Sequence, residues 1–502
     1  MEFLECCKLS TVRFLGQQFL LIGGDEVIVH VTNNLPSDSG NGTSLHFHGV
    51  RQNYTNQADG VTSVTQCPTA PGETYTYKWR ATQYGSSWYH SHFGFQAWEG
   101  IYGGIVINGP ASANYDVDLG NLFIQDWDHS TADELYIKAE TQGAISSLTG
   151  LINGTNVYGD DGNSSQVGSR FETTFESGTS YLIRLVNVAI DTHFKFMIDN
   201  HVMTVIAADF VPIEPYETTS LSIGMGQRYD IVVTADQADT ASDFWIRAIP
   251  QSSCSDNDNA DNIKGIVHYG SSTGTPTTSG YNITDECVDE TNLVPIVSKT
   301  VGDVTSSVDE AVGVSFNDDN YFIWELNETS YLVNWQSPTL LNLYNNDSFS
   351  TTYNLIELPN AGEWVYLLIT ESGIPVAHPI HLHGHDFYVL GAGTGSYDAS
   401  TVSLNLTNPA RRDVAMLQAS GWLMIAFQTD NPGAWLMHCH IGWHTLEGFA
   451  LQFLEMESEI LSTIDEDDLT STCSAWTTYM TDNDVVQGVG GMEDSGLKKL
   501  RL

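Results

Sequence analysis

The stretch Trp435-Leu436-Met437-His438-Cys439-His440-Ile441-Gly442-Trp443-His444 is apolar or small throughout, apart from its imidazoles, its thiol and Trp. A β-strand sends residues i and i+2 to one face and the residue between them to the other. On such a strand His438 and His440 share a face while Cys439 points away, so one segment can touch two separate metal centres. It also offers electrons a short covalent route between them. The His-x-His pattern recurs at His46/His48, His90/His92 and His381/His383, with His385 extending the third pair. With 16 His in 502 residues, random placement gives roughly 0.5 such pairs, against the five found when the overlap is counted.

Around these pairs the chain reads as all-β. Short β-branched runs such as Glu26-Val27-Ile28-Val29-His30-Val31, Gly104-Ile105-Val106-Ile107 and Tyr229-Asp230-Ile231-Val232-Val233 recur between Gly, Asn, Pro and Ser turns, a sandwich or barrel pattern. Helical periodicity is scarce before the acidic stretch around 457–470. The length suggests about three domains. Two linker-like segments, Asn108-Gly109-Pro110-Ala111-Ser112-Ala113 and the Ser/Thr/Gly-rich stretch 270–282, predict divisions at 1–112, 113–300 and 301–502. The His pairs fall only in the first and third parts, so their site is expected between those two, leaving the middle part for another purpose.

Composition narrows the function. The net charge of −44 argues against nucleic acid or an anionic membrane as partner. No apolar run is long enough for a membrane helix, and the N-terminus, with Glu2 and Glu5 where basic residues belong, is no convincing signal peptide. Secretion is nevertheless suggested by scattered Cys and by Asn-x-Ser/Thr sequons at Asn41, Asn53, Asn153, Asn163, Asn282, Asn327, Asn346 and Asn405. If Cys439 is a ligand, Cys67, Cys254, Cys287 and Cys473 could form two bridges of open connectivity.

His378-Pro379-Ile380-His381-Leu382-His383 joined to His438-Cys439-His440-Ile441-Gly442-Trp443-His444 supplies His, Cys and His for a trigonal site, the donor set of blue copper. With His46-Phe47-His48-Gly49 and His90-Ser91-His92, these segments resemble the copper motifs of the multicopper oxidases, and specifically the laccases. The resemblance runs from about residue 25 to the end. It implies three consecutive cupredoxin-like domains and four copper ions: type 1 copper on His378, Cys439 and His444, type 2 on His46 and His381, and the type 3 pair on His48, His90, His92, His383, His438 and His440. It further implies oxidation of phenols and aromatic amines by O₂ in a secreted monomer. Single electrons would enter through His444 and leave Cys439 by way of His438 and His440.

By the same resemblance Asp191 is the acid of the substrate pocket, with Asp209 as reserve, Trp443 is part of the pocket wall, and Asp59 is an acid near the trinuclear site. Phe449 occupies the axial position and cannot ligate. Cys67 pairs with Cys473 and Cys254 with Cys287. Asn431-Pro432-Gly433-Ala434-Trp435 and the near-terminal Asp494-Ser495-Gly496-Leu497 look like the ascomycete branch, in which the tail is cut after this Leu and plugs a solvent channel. Relatives carry further opening strands before the segment matching Gly24-Asp25-Glu26-Val27-Ile28-Val29-His30-Val31, so the first domain is expected to be truncated with an exposed edge. Neither the residues nor the resemblance accounts for Cys6 and Cys7.

Bland readings stand beside these. Zinc also accepts imidazole and thiolate, but eight further paired imidazoles would be surplus to it. His385 reads as structural support for the ligands, and His30, His129, His193, His201 and His268 as structural. Asp59 could simply serve an Asp-Gly turn. Two functional rivals remain: a metallo-oxidase taking Fe(II) or Mn(II), which needs carboxylates around His444, and a non-catalytic copper-binding protein. Lignin breakdown, pigment synthesis and detoxification are all open as roles.

Overall fold

The computed structural model of the chain describes residues 16–36, 42–142, 145–318, 320–485 and 487. Cys6, Cys7 and the segment 494–497 lie outside them.

Among the described residues strands dominate, and each sheet draws its strands from one stretch of sequence. Residues 19–108 form a four-stranded sheet, in the order Phe19–Ile22, Tyr102–Asn108, Gly85–His90, His46–Phe47, and a two-stranded one, Glu26–Thr32 against Thr74–Arg80. Residues 117–269 form a six-stranded and a five-stranded sheet with a small two-stranded one, and residues 306–455 another six-stranded and five-stranded pair. Alternation explains the sandwiching: Glu26–Thr32 buries Val27, Val29 and Val31 and turns Glu26, Ile28 and His30 outward.

The segment before Gly24 supplies the strand Phe19–Ile22, parallel to Tyr102–Asn108. Leu20 and Ile22 on it, and Ile28 nearby in sequence, are exposed. Helices are more numerous than periodicity foretold: Ala132–Gln142 and Thr339–Asn345 accompany the expected C-terminal one, Glu466–Asp482. In that last helix Asp465 caps the start by accepting from Asp468 N at 3.2 Å, and Glu466, Asp467 and Asp468 sit at the positive end of its dipole.

The stretches pack into one another rather than standing apart. One apolar cluster runs from Phe196 and Ile231 in the middle stretch to Leu367, Cys439 and Phe449 in the last, and a second joins Val64 and Phe93 to Trp335 and Trp476. Both expected disulfides form: Cys67–Cys473 ties the first stretch to the C-terminal helix across 406 residues, and Cys254–Cys287 closes a loop around 270–282, a segment without regular secondary structure. The eight paired imidazoles sit where the first and last stretches meet, whereas His378, Cys439 and His444 lie together within the last stretch.

Candidate metal centre

Strand register brings the pairs together. His381 lies opposite His438 and Ile380 opposite Cys439 in neighbouring antiparallel strands, while His46 lies opposite His90. Cys439, on the other face from its neighbours, meets His378 and His444. Its Sγ is 3.6 Å from His378 Nδ1 and 3.7 Å from His444 Nδ1, and the two nitrogens are 3.2 Å apart. A first-row ion bound at about 2.0–2.3 Å at the centre of a triangle sets edges of roughly 3.5–4 Å, so this triad fits a trigonal metal.

His378 and Cys439 are fully buried, whereas His444 is half-buried within a short helix, Gly442–Leu446. Glu371 Oε2 stands 2.9 Å from His378 Nε2, on the side away from the thiol. Burial pushes the Cys439 thiol well above its usual range, so the thiolate needs a cation beside it. Phe449 packs its ring 5.1 Å from that of His378, and its carbonyl accepts from Cys439 N at 3.1 Å. Trp324, which sequence did not single out, lies 4.3 Å from the His444 ring and 4.8 Å from His378, and donates its indole N–H to Glu447 Oε2 at 3.2 Å.

The other eight imidazoles form one group with three sub-clusters: His46 and His381 together with His48; His48, His90 and His440; and His92, His383 and His438. Six of their rings are pinned from outside. His46 Nδ1 donates to Asp59 O at 2.8 Å, His383 Nδ1 to Asp59 Oδ2 at 2.9 Å, His48 Nε2 to Asp413 Oδ1 at 3.1 Å and His381 Nδ1 to Asp413 O at 2.7 Å. His90 Nδ1 donates to Ser91 O at 2.9 Å and His438 Nδ1 to Cys439 O at 2.8 Å. The opposite nitrogens, His46 Nε2, His48 Nδ1, His90 Nε2 and His381 Nε2, are buried and bonded to nothing, and His383 Nε2 faces His438 Nε2 at 3.2 Å.

A ring that donates outward through one nitrogen and keeps the other bare is how imidazole presents itself to a metal. Burial, and then the neighbouring imidazoles, hold His48, His92, His381, His383 and His440 far below the ordinary histidine range, so they stay neutral and free to ligate. His385 belongs elsewhere: its Nδ1 donates to His383 O at 3.0 Å and its Nε2 stands 3.0 Å from Glu455 Oε2. A cavity bordered by His90, His92, His438 and His440 is walled by Tyr331 and Trp335. Gln487 anchors the end of the described chain beside it, accepting from Trp335 N at 3.0 Å and donating to Val333 O at 2.7 Å.

Asp59 is fully buried between two ligand candidates, and the Asp-Gly turn is also present: Gly60 ends the short helix Asn56–Asp59 at φ 77°. Asp191 is half-buried on a loop joined to the His444 helix by a Gly442 N to Ile190 O hydrogen bond of 2.8 Å. Burial, then the charges of Asp126 and Glu447, raises its carboxyl well above the usual range, against the stabilising contact of the Trp443 side chain. Asp209 is not in this pocket; it is buried between Arg228 and Arg412. Sequence missed Asp413, Trp324 and Glu447. Three consecutive charges at Arg411-Arg412-Asp413, followed at once by apolar Val414-Ala415-Met416-Leu417, were the available hint that charge is buried there.

Family profiles described as multicopper oxidase match residues 11–112, 119–272 and 318–459. The chain is 51% identical over 474 residues to Laccase-1 of Botryotinia fuckeliana, covering 92% of this chain and 81% of that one. Laccase-2 of the same organism is 49% identical over 472 residues, covering 91% and 80%. Among solved structures, the laccase from Botrytis aclada superposes with a TM-score of 0.89 at 44% identity, covering 96% of this chain and 89% of that chain.

Proposed function

The chain belongs to the multicopper oxidase family, with the cupredoxin-like fold and oxidoreductase activity of an ascomycete-type laccase, and on that premise we propose that it holds four copper ions in two centres. His378, Cys439 and His444 take one. His46 and His381 take the second, His48, His90 and His440 the third, and His92, His383 and His438 the fourth. The observation that carries this reading is the outward pinning of the ligand rings, which leaves bare nitrogens gathered in one place while Cys439 faces the opposite way.

When bound, copper supplies a one-electron acceptor at the thiolate site and a centre for reducing O₂ to water at the imidazole group. The chain supplies the rest. His444, half-buried, is the edge a phenol or aromatic amine reaches, with Trp443 as wall. Asp191 takes the proton that a phenol loses with its electron; its raised pKa makes it a stronger base once ionised. His438-Cys439-His440 joins the centres through covalent bonds. Asp59 holds His46 and His383 in place and is the acid we assign to delivering protons there.

Three domains at 1–112, 113–300 and 301–502 divide this work, the middle one walling the substrate pocket. No helix of the described residues is long and apolar enough to cross a membrane. We place the protein outside the cell as a monomeric glycoprotein, a reading supported by the two disulfides and by exposed sequons at Asn53, Asn163, Asn282, Asn327, Asn346 and Asn405. Phenolic lignin fragments are one substrate source of the right chemistry. The test is O₂ uptake by copper-loaded protein given a methoxyphenol, beside Cys439→Ser and with Fe(II) as a second donor. Uptake with the phenol that disappears in the variant supports the reading. Uptake with Fe(II) alone makes the protein a metallo-oxidase, and no uptake with either donor overturns both.

A further inference from the structure

The middle stretch gives the imidazole group no ligand, yet one of its turns closes over it. Arg228, fully buried, donates Nη1 to Asp413 Oδ1 at 2.5 Å and Nη2 to Asp413 Oδ2 at 2.6 Å, and Nη1 also donates to Gly226 O at 3.1 Å. Both carboxylate oxygens are thereby engaged, so Asp413 cannot rotate; a guanidinium fork does this and a lysine ammonium does not. Asp413 Oδ1 is the acceptor for His48 Nε2, and His48 Nδ1 is the nitrogen left bare. The Asp413 carbonyl likewise receives His381 Nδ1. Gly226, at φ 79°, backs the same rings: a Cβ there would lie 2.9 Å from His440 Cδ2 and 3.0 Å from His48 Cε1.

We propose that Arg228 is a positioning residue of the oxygen-reducing centre: by clasping Asp413 it keeps the His48 proton on Nε2 and the lone pair on Nδ1, and so governs copper occupancy at a centre to which its own domain gives no ligand. The proposal rests on the assignment of His48, His90 and His440 to one copper. A purely structural role would be shared by Arg412, which is equally buried and pairs with Asp209 at 3.2 Å and Asp289 at 3.1 Å; it reaches Asp413 only through Asp209, which accepts from Asp413 N at 3.1 Å, and makes no hydrogen bond to the Asp413 carboxylate among the described residues.

The experiment compares parent, Arg228→Met, Arg228→Lys, Asp413→Asn and Arg412→Met, each loaded with copper. Readouts are copper per chain, the visible absorption of the Cys439 thiolate site, the near-ultraviolet absorption of the coupled pair, and melting temperature. Arg228→Met and Asp413→Asn should keep the thiolate band and lose copper and absorption at the imidazole group, with affinity there weaker by about 10- to 100-fold. Arg228→Lys should recover part of the loss, and Arg412→Met should lower the melting temperature while keeping full copper. Full copper and an unchanged near-ultraviolet band in both Arg228→Lys and Asp413→Asn, the milder variants that survive if Arg228→Met fails to fold, would overturn the proposal. So would an equal loss in Arg412→Met. A parent with thiolate copper alone would instead refute the ligand assignment beneath it.

Discussion

At the level of single residues, two substitutions separate electron transfer from proton transfer. Asp191→Asn should cut kcat/KM for phenols by roughly 10²–10⁴-fold while leaving a donor that releases no proton, such as hexacyanoferrate(II), nearly unaffected. Because burial and then Asp126 and Glu447 raise the Asp191 pKa, the parent's phenol kcat/KM should rise with pH as this base ionises, and the variant should lose that limb; an unchanged profile in Asp191→Asn refutes the base. Phe449→Met puts a thioether against the triad, where the packed ring now gives no ligand. It should lower the potential of the thiolate copper, by roughly 59 mV for each ~1.4 kcal/mol of preference for the oxidised ion, as measured by redox titration. The ligands themselves were legible because each imidazole pair is a local pattern, two residues apart on one strand. Asp413 and Trp324 were not: Trp324 belongs to no spaced motif, and the one mark of Asp413's burial, charges running straight into apolar Val414-Ala415-Met416-Leu417, is weak beside 62 acidic residues.

Elements place these groups by register and by turns. The antiparallel pairing of His381 with His438 fixes one face of the imidazole group, and the helix-ending turn after Asn56–Asp59 fixes another. At Gly60 a Cβ would fall 1.9 Å from Leu45 O, on top of a backbone φ of 77°. Gly60→Ala should therefore shift Asp59 and His46 together, costing about 1–3 kcal/mol of backbone strain or more. Thermal unfolding and copper analysis should show lower stability and incomplete loading of the imidazole group. The all-β reading held because alternation is strong in strands such as Glu26–Thr32. Helix Ala132–Gln142 escaped notice because its polar residues, including Asp133, Glu134, Lys138 and Glu140, leave little apolar stripe.

Taken as a whole, the molecule is strongly anionic, and burial raises several of its carboxyls above their ordinary range. Burial raises Glu310 to about 7 and Glu447 to about 8, from an ordinary 4.5. A carboxyl held more tightly protonated when folded adds stability that is complete below its unfolded pKa and is lost as pH rises through the folded value. Buried histidines held neutral pull the other way until their unfolded counterparts have lost their protons near 6.5. With a net charge of −44 also growing more repulsive, the melting temperature should therefore fall as pH rises from about 6.5 to about 8. Glu310→Gln should flatten that slope, and calorimetry across the range would detect an unchanged slope as readily. The segment 270–282 has one further consequence. It is mostly exposed and irregular, but it lies inside the loop closed by Cys254–Cys287. A protease that nicked it would leave the two fragments covalently one molecule, which would separate on a gel only after reduction. Breakage within 270–282 would therefore not release either fragment.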